Sequence, residues 1–396
     1  MAAPLNIFER LAKTSPQTEV WWDSSPLIYK GWTEKIMPNF PAERHEILRE
    51  QFRRMYDPDA PEKTIFGGVT TNPPLSLQAI QFDEAYWAKV VDEIIAANRG
   101  IDVEQLFWKT YMEVIRRGAA MMRKRWEASG GKFGYLSGQV DPRDCYNYDK
   151  MLEQAMEIAS QAPNIMVKCP GTAEGYRLLE ELTSRAIGTN NTLSFIMPQF
   201  KAAAEAARRG LKRAKKNGID TSKWRAVITH MSTRYTLLGN FQKEADQKGM
   251  NLTETDYRWA EIALLKKAIR MLNEEGYPSK MLLCSIRVSP TVNGEKRVWH
   301  LEKLAGAPLV FTCPPPFIEA TIKEVDHIEL DPEACKEDVP EDVIDKLMGL
   351  EYFRRAYDAD GYTHEEFNTH PAVLATADEF SRATQKMVDF CASRLK

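Results

Sequence analysis

Asn164-Ile165-Met166-Val167-Lys168-Cys169-Pro170-Gly171-Thr172-Ala173-Glu174-Gly175 is the stretch that decides how this chain is read. An apolar, β-forming run leads to a lysine and stops at a Pro-Gly turn. Helix-patterned residues Gly175–Ser184 follow, and then a second β-rich run, Ala186–Phe195. This is a strand, a helix and a strand, the unit of a parallel sheet. Outward in both directions the alternation recurs. The further runs are Glu19–Ser24, Thr64–Thr71, Tyr135–Val140, Arg225–Met231, Met281–Ile286 and Leu309–Cys313. Eight runs separated mostly by helical patterns predict an α/β protein, and eight is the number that closes a (β/α)8 TIM barrel.

The helices are read from polar and apolar residues recurring at helical spacing over Asp102–Glu127, Tyr148–Ser160, Pro198–Asn217 and Thr255–Glu275. Two segments exceed a minimal barrel. Residues Leu27–Lys63 form an insertion after the first strand, with a helix expected around Glu43–Tyr56. From about residue 318 to 396 runs a helical C-terminal extension, with an acidic, loop-like stretch at Ile322–Asp342 and one long closing helix over Pro371–Leu395. No repeat, low-complexity tract or linker divides the chain, so residues 1–396 are expected to form one elaborated barrel domain.

Composition narrows the function classes. At 43% hydrophobic and 28% charged residues, a chain of 396 residues buries a large core. A formal net charge of -3 argues against steering toward nucleic acid or membrane, and Lys212-Arg213-Ala214-Lys215-Lys216 reads as the solvated end of a helix. The six cysteines, at 145, 169, 284, 313, 335 and 391, share no metal-binding spacing and no disulfide framework. Free thiols, no signal-peptide layout and no long apolar run lead us to expect a cytoplasmic protein without metal.

Several residues have the type and position for chemistry. Lys168 ends a buried strand, where barrel enzymes keep their active sites. Desolvation there lowers an amine's pKa and frees it to attack a carbonyl; alternatively, Lys168 is a strand-end lysine reaching for solvent. Phe66-Gly67-Gly68-Val69-Thr70-Thr71-Asn72-Pro73-Pro74 is a strand ending in two hydroxyls and an amide. Thr71 and Asn72 suit a sugar hydroxyl, and Asn-Pro equally suits a plain turn. Asp23, after Val20-Trp21-Trp22, is a proton carrier at a barrel mouth or a cap. Ser285-Ile286-Arg287, read as an alternating strand end, would point Ser285 and Arg287 to one side. With Arg234 after the preceding strand they make a phosphate clamp, because guanidinium forks match phosphate oxygens. Taken singly, each arginine also fits a surface salt bridge.

In this order and spacing, these pieces resemble the transaldolases and their smaller relatives, the fructose-6-phosphate aldolases. The resemblance covers nearly the whole chain. It runs from Asp23 through Gly68-Val69-Thr70-Thr71-Asn72-Pro73, Leu136-Ser137-Gly138-Gln139-Val140-Asp141-Pro142-Arg143 and Val167–Gly175 to Asn190–Phe195 with Gln199 and to Cys284–Arg287. It implies a (β/α)8 barrel with a Schiff-base lysine, here Lys168, and neither metal nor organic cofactor. It implies an acid/base aspartate at Asp23, hydroxyl ligands at Asn72 and Asn190, a water-holding threonine at Thr192, and phosphate ligands at Arg234, Ser285 and Arg287. The implied substrates are sugar phosphates, and relatives of this fold often dimerise.

The chain departs from that pattern at the third and sixth strands. Transaldolases carry a glutamate on the third strand, where Gln139 stands here. The fructose-6-phosphate aldolases also have glutamine there and add a tyrosine on the sixth strand, where Met231 stands. Glutamine cannot exchange protons near neutrality. His230 has a suitable pKa range, but strand alternation aims it away from the Met231 side. Three hypotheses follow: transaldolase-type transfer of a dihydroxyacetone unit; a specialised aldolase or transferase of the same family with an unusual ketose or acceptor, which Gln139 and Met231 favour; and a weakly active sugar-phosphate-binding protein.

Overall fold

A computed structural model of the protein describes residues 3–395. The eight runs form a closed, all-parallel barrel of β1 (Glu19–Trp22), β2 (Phe66–Thr70), β3 (Tyr135–Gln139), β4 (Ile165–Pro170), β5 (Gly188–Thr192), β6 (Ala226–Met231), β7 (Lys280–Cys284) and β8 (Leu309–Cys313). Neighbours in sequence are neighbours in the barrel, and β8 pairs back onto β1. The expected (β/α)8 barrel is the observed fold, with extra helices around it.

The expected runs overshoot at their ends, for identifiable reasons. Ala186 (φ 58°) and Leu193 (φ 51°) take left-handed backbone, which turns the chain out of the ladder, so Ala186–Phe195 is strand only over Gly188–Thr192. Ser285 (φ 59°) ends β7 at Cys284 in the same way. Alternation along a strand therefore does not orient Ser285 and Arg287. The prolines after Asn72 do more than stop β2. They open the helix Pro73–Phe82, since proline lacks an N–H that a first turn leaves unpaired, and Asn72 caps it by accepting from the Leu75 N–H at 2.9 Å.

Inside the barrel β1 alternates Glu19, Trp21 and Asp23 from bottom to top. The indole of Trp21 lies against Gly67 and Gly68. A Cβ on either would approach a Trp21 ring atom to 2.9 or 2.8 Å, so the double glycine of β2 makes room for this side chain. Trp22 points outward and packs with Tyr29 and Trp32, at ring separations of 5.0 and 4.9 Å. Those two belong to the insertion, which carries the helix Tyr29–Ile36, not anticipated, and His45–Met55, close to the expected one. Phe66 of β2 and Tyr56 join the same aromatic group. The insertion thus braces the outer wall at β1 and β2.

The C-terminal extension closes the other side. Within the stretch read as loop, the helix Pro315–Glu324 runs in from one end and a single 3-10 turn forms at Ala334–Lys336. The closing helix is Pro371–Ala392. It touches the helices that leave β2 (Pro73–Phe82) and β6 (Ser232–Leu238), which lie on opposite sides of an eight-stranded barrel. It therefore crosses the mouth at the C-terminal ends of the strands. Among the described residues no helix is long and apolar enough to cross a membrane.

Candidate active site

The register of β3, β4 and β5 sets one layer of the barrel: Gln139, Lys168 and Asn190 are paired Cα to Cα across neighbouring strands. Paired residues of parallel strands point the same way, here inward. Lys168 is 5% exposed. Its Nζ donates to the Thr71 carbonyl at 3.0 Å, and among the described residues no carboxylate lies within ion-pair distance of it. Burial pushes the amine below the usual lysine range, with the Asp23 charge opposing.

Asp23 sits just past the end of β1, half-buried, its N–H donating to the Cys313 carbonyl at 3.0 Å. Thr70 donates to its Oδ1 at 2.6 Å, and the Thr70 and Thr312 hydroxyls share a 2.6 Å hydrogen bond. Burial raises the carboxyl above its ordinary range, and Lys168, the Thr70 hydrogen bond and Arg234 hold it back. Both shifts act in one direction, toward a neutral amine and a protonated acid.

The amides and hydroxyls around the lysine differ in how far they are committed. Asn190 donates to Ser137 Oγ at 2.9 Å and accepts from Thr229 Oγ1 at 2.8 Å, which fixes its plane and leaves one N–H and one lone pair open. Asn72 has spent its oxygen on the helix cap, and its Nδ2 has no protein partner among the described residues. Thr71 gives its hydroxyl to the Ser137 carbonyl at 2.6 Å and its carbonyl to Lys168. Thr192 is buried, its Oγ1 3.9 Å from the sulfur of Met231. Gln139 has a buried Oε1 with no hydrogen-bond partner, while the Tyr111 hydroxyl holds its main-chain carbonyl at 2.9 Å. An unpaired buried acceptor at the height of the lysine is costly unless a ligand or water fills it.

Arg234, Ser285 and Arg287 do converge. With Thr233, Leu237, Leu238, Ile286 and Glu379 they line a cavity of about 320 Å³. The left-handed turn at Ser285, rather than strand alternation, brings Ser285 and Arg287 to the same space. Arg234 also forms a two-pronged ion pair with Glu379 of the closing helix, at 2.6 and 2.8 Å. A larger cavity of about 600 Å³ lies outside the barrel between Met197–Lys216, Glu254–Glu274 and Glu341–Met348. Its Arg270 and Lys201 pair with Asp338 and Asp360, and its Lys266 and Lys267, both pushed below the usual lysine range by burial, donate to the main-chain carbonyls of Ala334, Glu337 and Tyr357.

His230 faces away from the mouth. Its ring packs edge-on against Phe200 at 5.3 Å, and burial pushes its pKa down to about 3. It is a neutral wall residue, as alternation along β6 indicates.

The sequence reading missed Thr70, Thr312, Ser137 and Thr229, the hydroxyls that hold Asp23 and Asn190. Each occupies an inward position two residues from another inward residue, so alternation carried out along every strand identifies them. Glu379 gives no such signal, being one of many acidic residues on a helix.

Comparison with known proteins bears on the family of the chain. A family model described as Transaldolase/Fructose-6-phosphate aldolase matches residues 47–380. The transaldolases of Mycobacterium ulcerans and Mycobacterium marinum are each 32% identical over 169 residues, covering 42% of this chain and 44% of theirs. Transaldolase 2 of Streptomyces coelicolor is 28% identical over 209 residues, 52% of this chain and 55% of its own. The chain thus spans about half the length of the curated relatives it matches.

Proposed function

The chain belongs to the transaldolase and fructose-6-phosphate aldolase family, and on that premise we propose that it transfers a dihydroxyacetone unit between sugar phosphates through a Schiff base on Lys168. The observation that carries this reading is the buried Lys168 amine, bonded only to a carbonyl, with a carboxyl of raised pKa nearby.

The chemistry needs a neutral amine and a carboxyl that gives and takes back a proton. Neutral Nζ attacks the ketose C2 carbonyl to give a carbinolamine. Asp23, in its acid form at this step, supplies the proton with which the C2 hydroxyl leaves as water, and an iminium remains. The Asp23 carboxylate so formed takes the C4 hydroxyl proton as the C3–C4 bond breaks. The bonding pair moves into the iminium, giving an enamine on Lys168 and releasing an aldose. The enamine carbon then attacks an acceptor aldehyde and the steps reverse. In this reading Thr192 and the open Oε1 of Gln139 hold the water, Asn72 and Asn190 orient sugar hydroxyls, and Thr71 aims the lysine through its carbonyl. Arg234, Ser285 and Arg287 take the phosphate.

A second reading, a specialised aldolase or transferase acting on an unusual ketose or acceptor, is favoured by Gln139 and Met231, which leave Asp23 as the one proton-exchanging group we assign. Product analysis with fructose 6-phosphate, with and without an aldose phosphate acceptor, separates the two. Transfer product only with the acceptor present supports the first. Free dihydroxyacetone at the same rate in both cases supports the second.

A further inference from the structure

Arg234 does not stand open in the clamp. Its Nη1 and Nη2 each donate to one oxygen of Glu379, and the Phe380 ring of the same helix lies 5.4 Å from the guanidinium. Arg287, lining the same cavity, has no carboxylate partner among the described residues. A phosphate and a carboxylate present the same pair of oxygens to the same two N–H groups, so they cannot both hold the fork end of Arg234. Of the pair, Glu379 is the freer member: its side chain is 45% exposed against 24% for Arg234. The two-pronged geometry makes this pair stronger than a single-pronged surface pair, and its exposed Glu379 end is where a competing anion can enter.

We propose that Glu379 is a displaceable latch and a specificity-determining residue: without substrate it occupies Arg234, and the phosphate of an incoming sugar phosphate takes the guanidinium from it. This rests on the assignment of Arg234, Ser285 and Arg287 as the phosphate site. The carboxylate offsets one of the two guanidinium charges in the cavity, so every phosphate that binds competes with it. Glu379 thereby lowers the affinity for phosphorylated sugars and leaves that for unphosphorylated sugars untouched. Because it sits on the helix Pro371–Ala392, the exchange also releases one fastening of the element that crosses the mouth.

The test is calorimetric titration of inorganic phosphate into the wild-type protein and into E379Q, E379A, R234Q and R287Q, with thermal melts to confirm folding. E379Q and E379A are expected to bind phosphate about fivefold tighter, the size of effect a partly exposed ion pair supplies, and R234Q and R287Q to bind it more weakly. The KM for fructose 6-phosphate should fall in E379Q while that for unphosphorylated fructose stays unchanged. Unchanged or weaker phosphate binding by both Glu379 variants, with R287Q still weakened, overturns the latch and makes Glu379 a positioning residue for Arg234. Phosphate binding that ignores R234Q and R287Q as well removes the phosphate site itself, and the latch with it.

Discussion

Two lysines sit at opposite ends of the same barrel, and their surroundings differ in one respect. Lys280 begins β7 at the bottom, with its Nζ 2.7 Å from the Glu19 carboxylate, which also accepts from Arg225 at 2.5 Å. Lys168 lies near the top of β4 with a carbonyl at 3.0 Å and no carboxylate in ion-pair contact. Burial pushes both amines below the usual lysine range. At the bottom the two cations hold Glu19 below the ordinary carboxylate range despite its burial. At the top the nearest carboxyl, Asp23, is pushed the other way. A lowered lysine pKa therefore does not by itself mark a nucleophile. Partner and place decide together: a carboxylate in contact favours the ammonium, and a carbonyl partner leaves the Lys168 amine available inside the barrel, beside Asp23.

The sharpest way to break this comparison is to remove the lysine at the top. Lys168→Met is expected to abolish transfer, a loss in kcat of about 10⁴-fold or more, with the fold intact by circular dichroism. Asp23→Asn comes next, with a loss of about 10²- to 10⁴-fold for removal of a positioned acid/base, measured under saturating donor.

A smaller effect sharpens the electrostatics. Lys168 reacts only as the neutral amine, so the rate of borohydride trapping falls as pH drops through its depressed pKa. The Asp23 charge favours the ammonium. In Asp23→Asn the acid limb of the trapping profile should therefore move to lower pH, and a move to higher pH contradicts the assigned pair. The smallest effect on activity is at the bottom. Glu19→Gln leaves Arg225 and Lys280 without their carboxylate and is expected to cost about 2 kcal/mol of stability, discounted for partial exposure. It should leave kcat within about twofold, since it touches no reacting group. Equal losses of kcat in Glu19→Gln and Asp23→Asn would erase the distinction between the two ends.

Much of this was legible in the sequence because strand ends in a barrel are written in apolar runs. The run Asn164–Cys169 places Lys168 at a mouth by itself. The conversion of Ser285-Ile286-Arg287 from a strand into a left-handed turn was not legible, because a serine at φ 59° has no compositional mark. Alternation puts Thr70, Ser137, Thr229 and Thr312 inside the barrel, but which carboxyl, amide or hydroxyl each meets across it was not legible. Glu379 meets Arg234 over a separation of 145 residues, and local pattern carries no information about such a pair. The family resemblance supplied the roles of Asn190 and Thr192, which residue pattern alone did not.

The most direct test of the account is to incubate the protein with fructose 6-phosphate, reduce with borohydride, and read the mass of the peptide carrying Lys168. A dihydroxyacetone-sized adduct is expected on Lys168 and none on Lys280. An unmodified Lys168, under conditions where the protein is folded and the donor saturating, contradicts it.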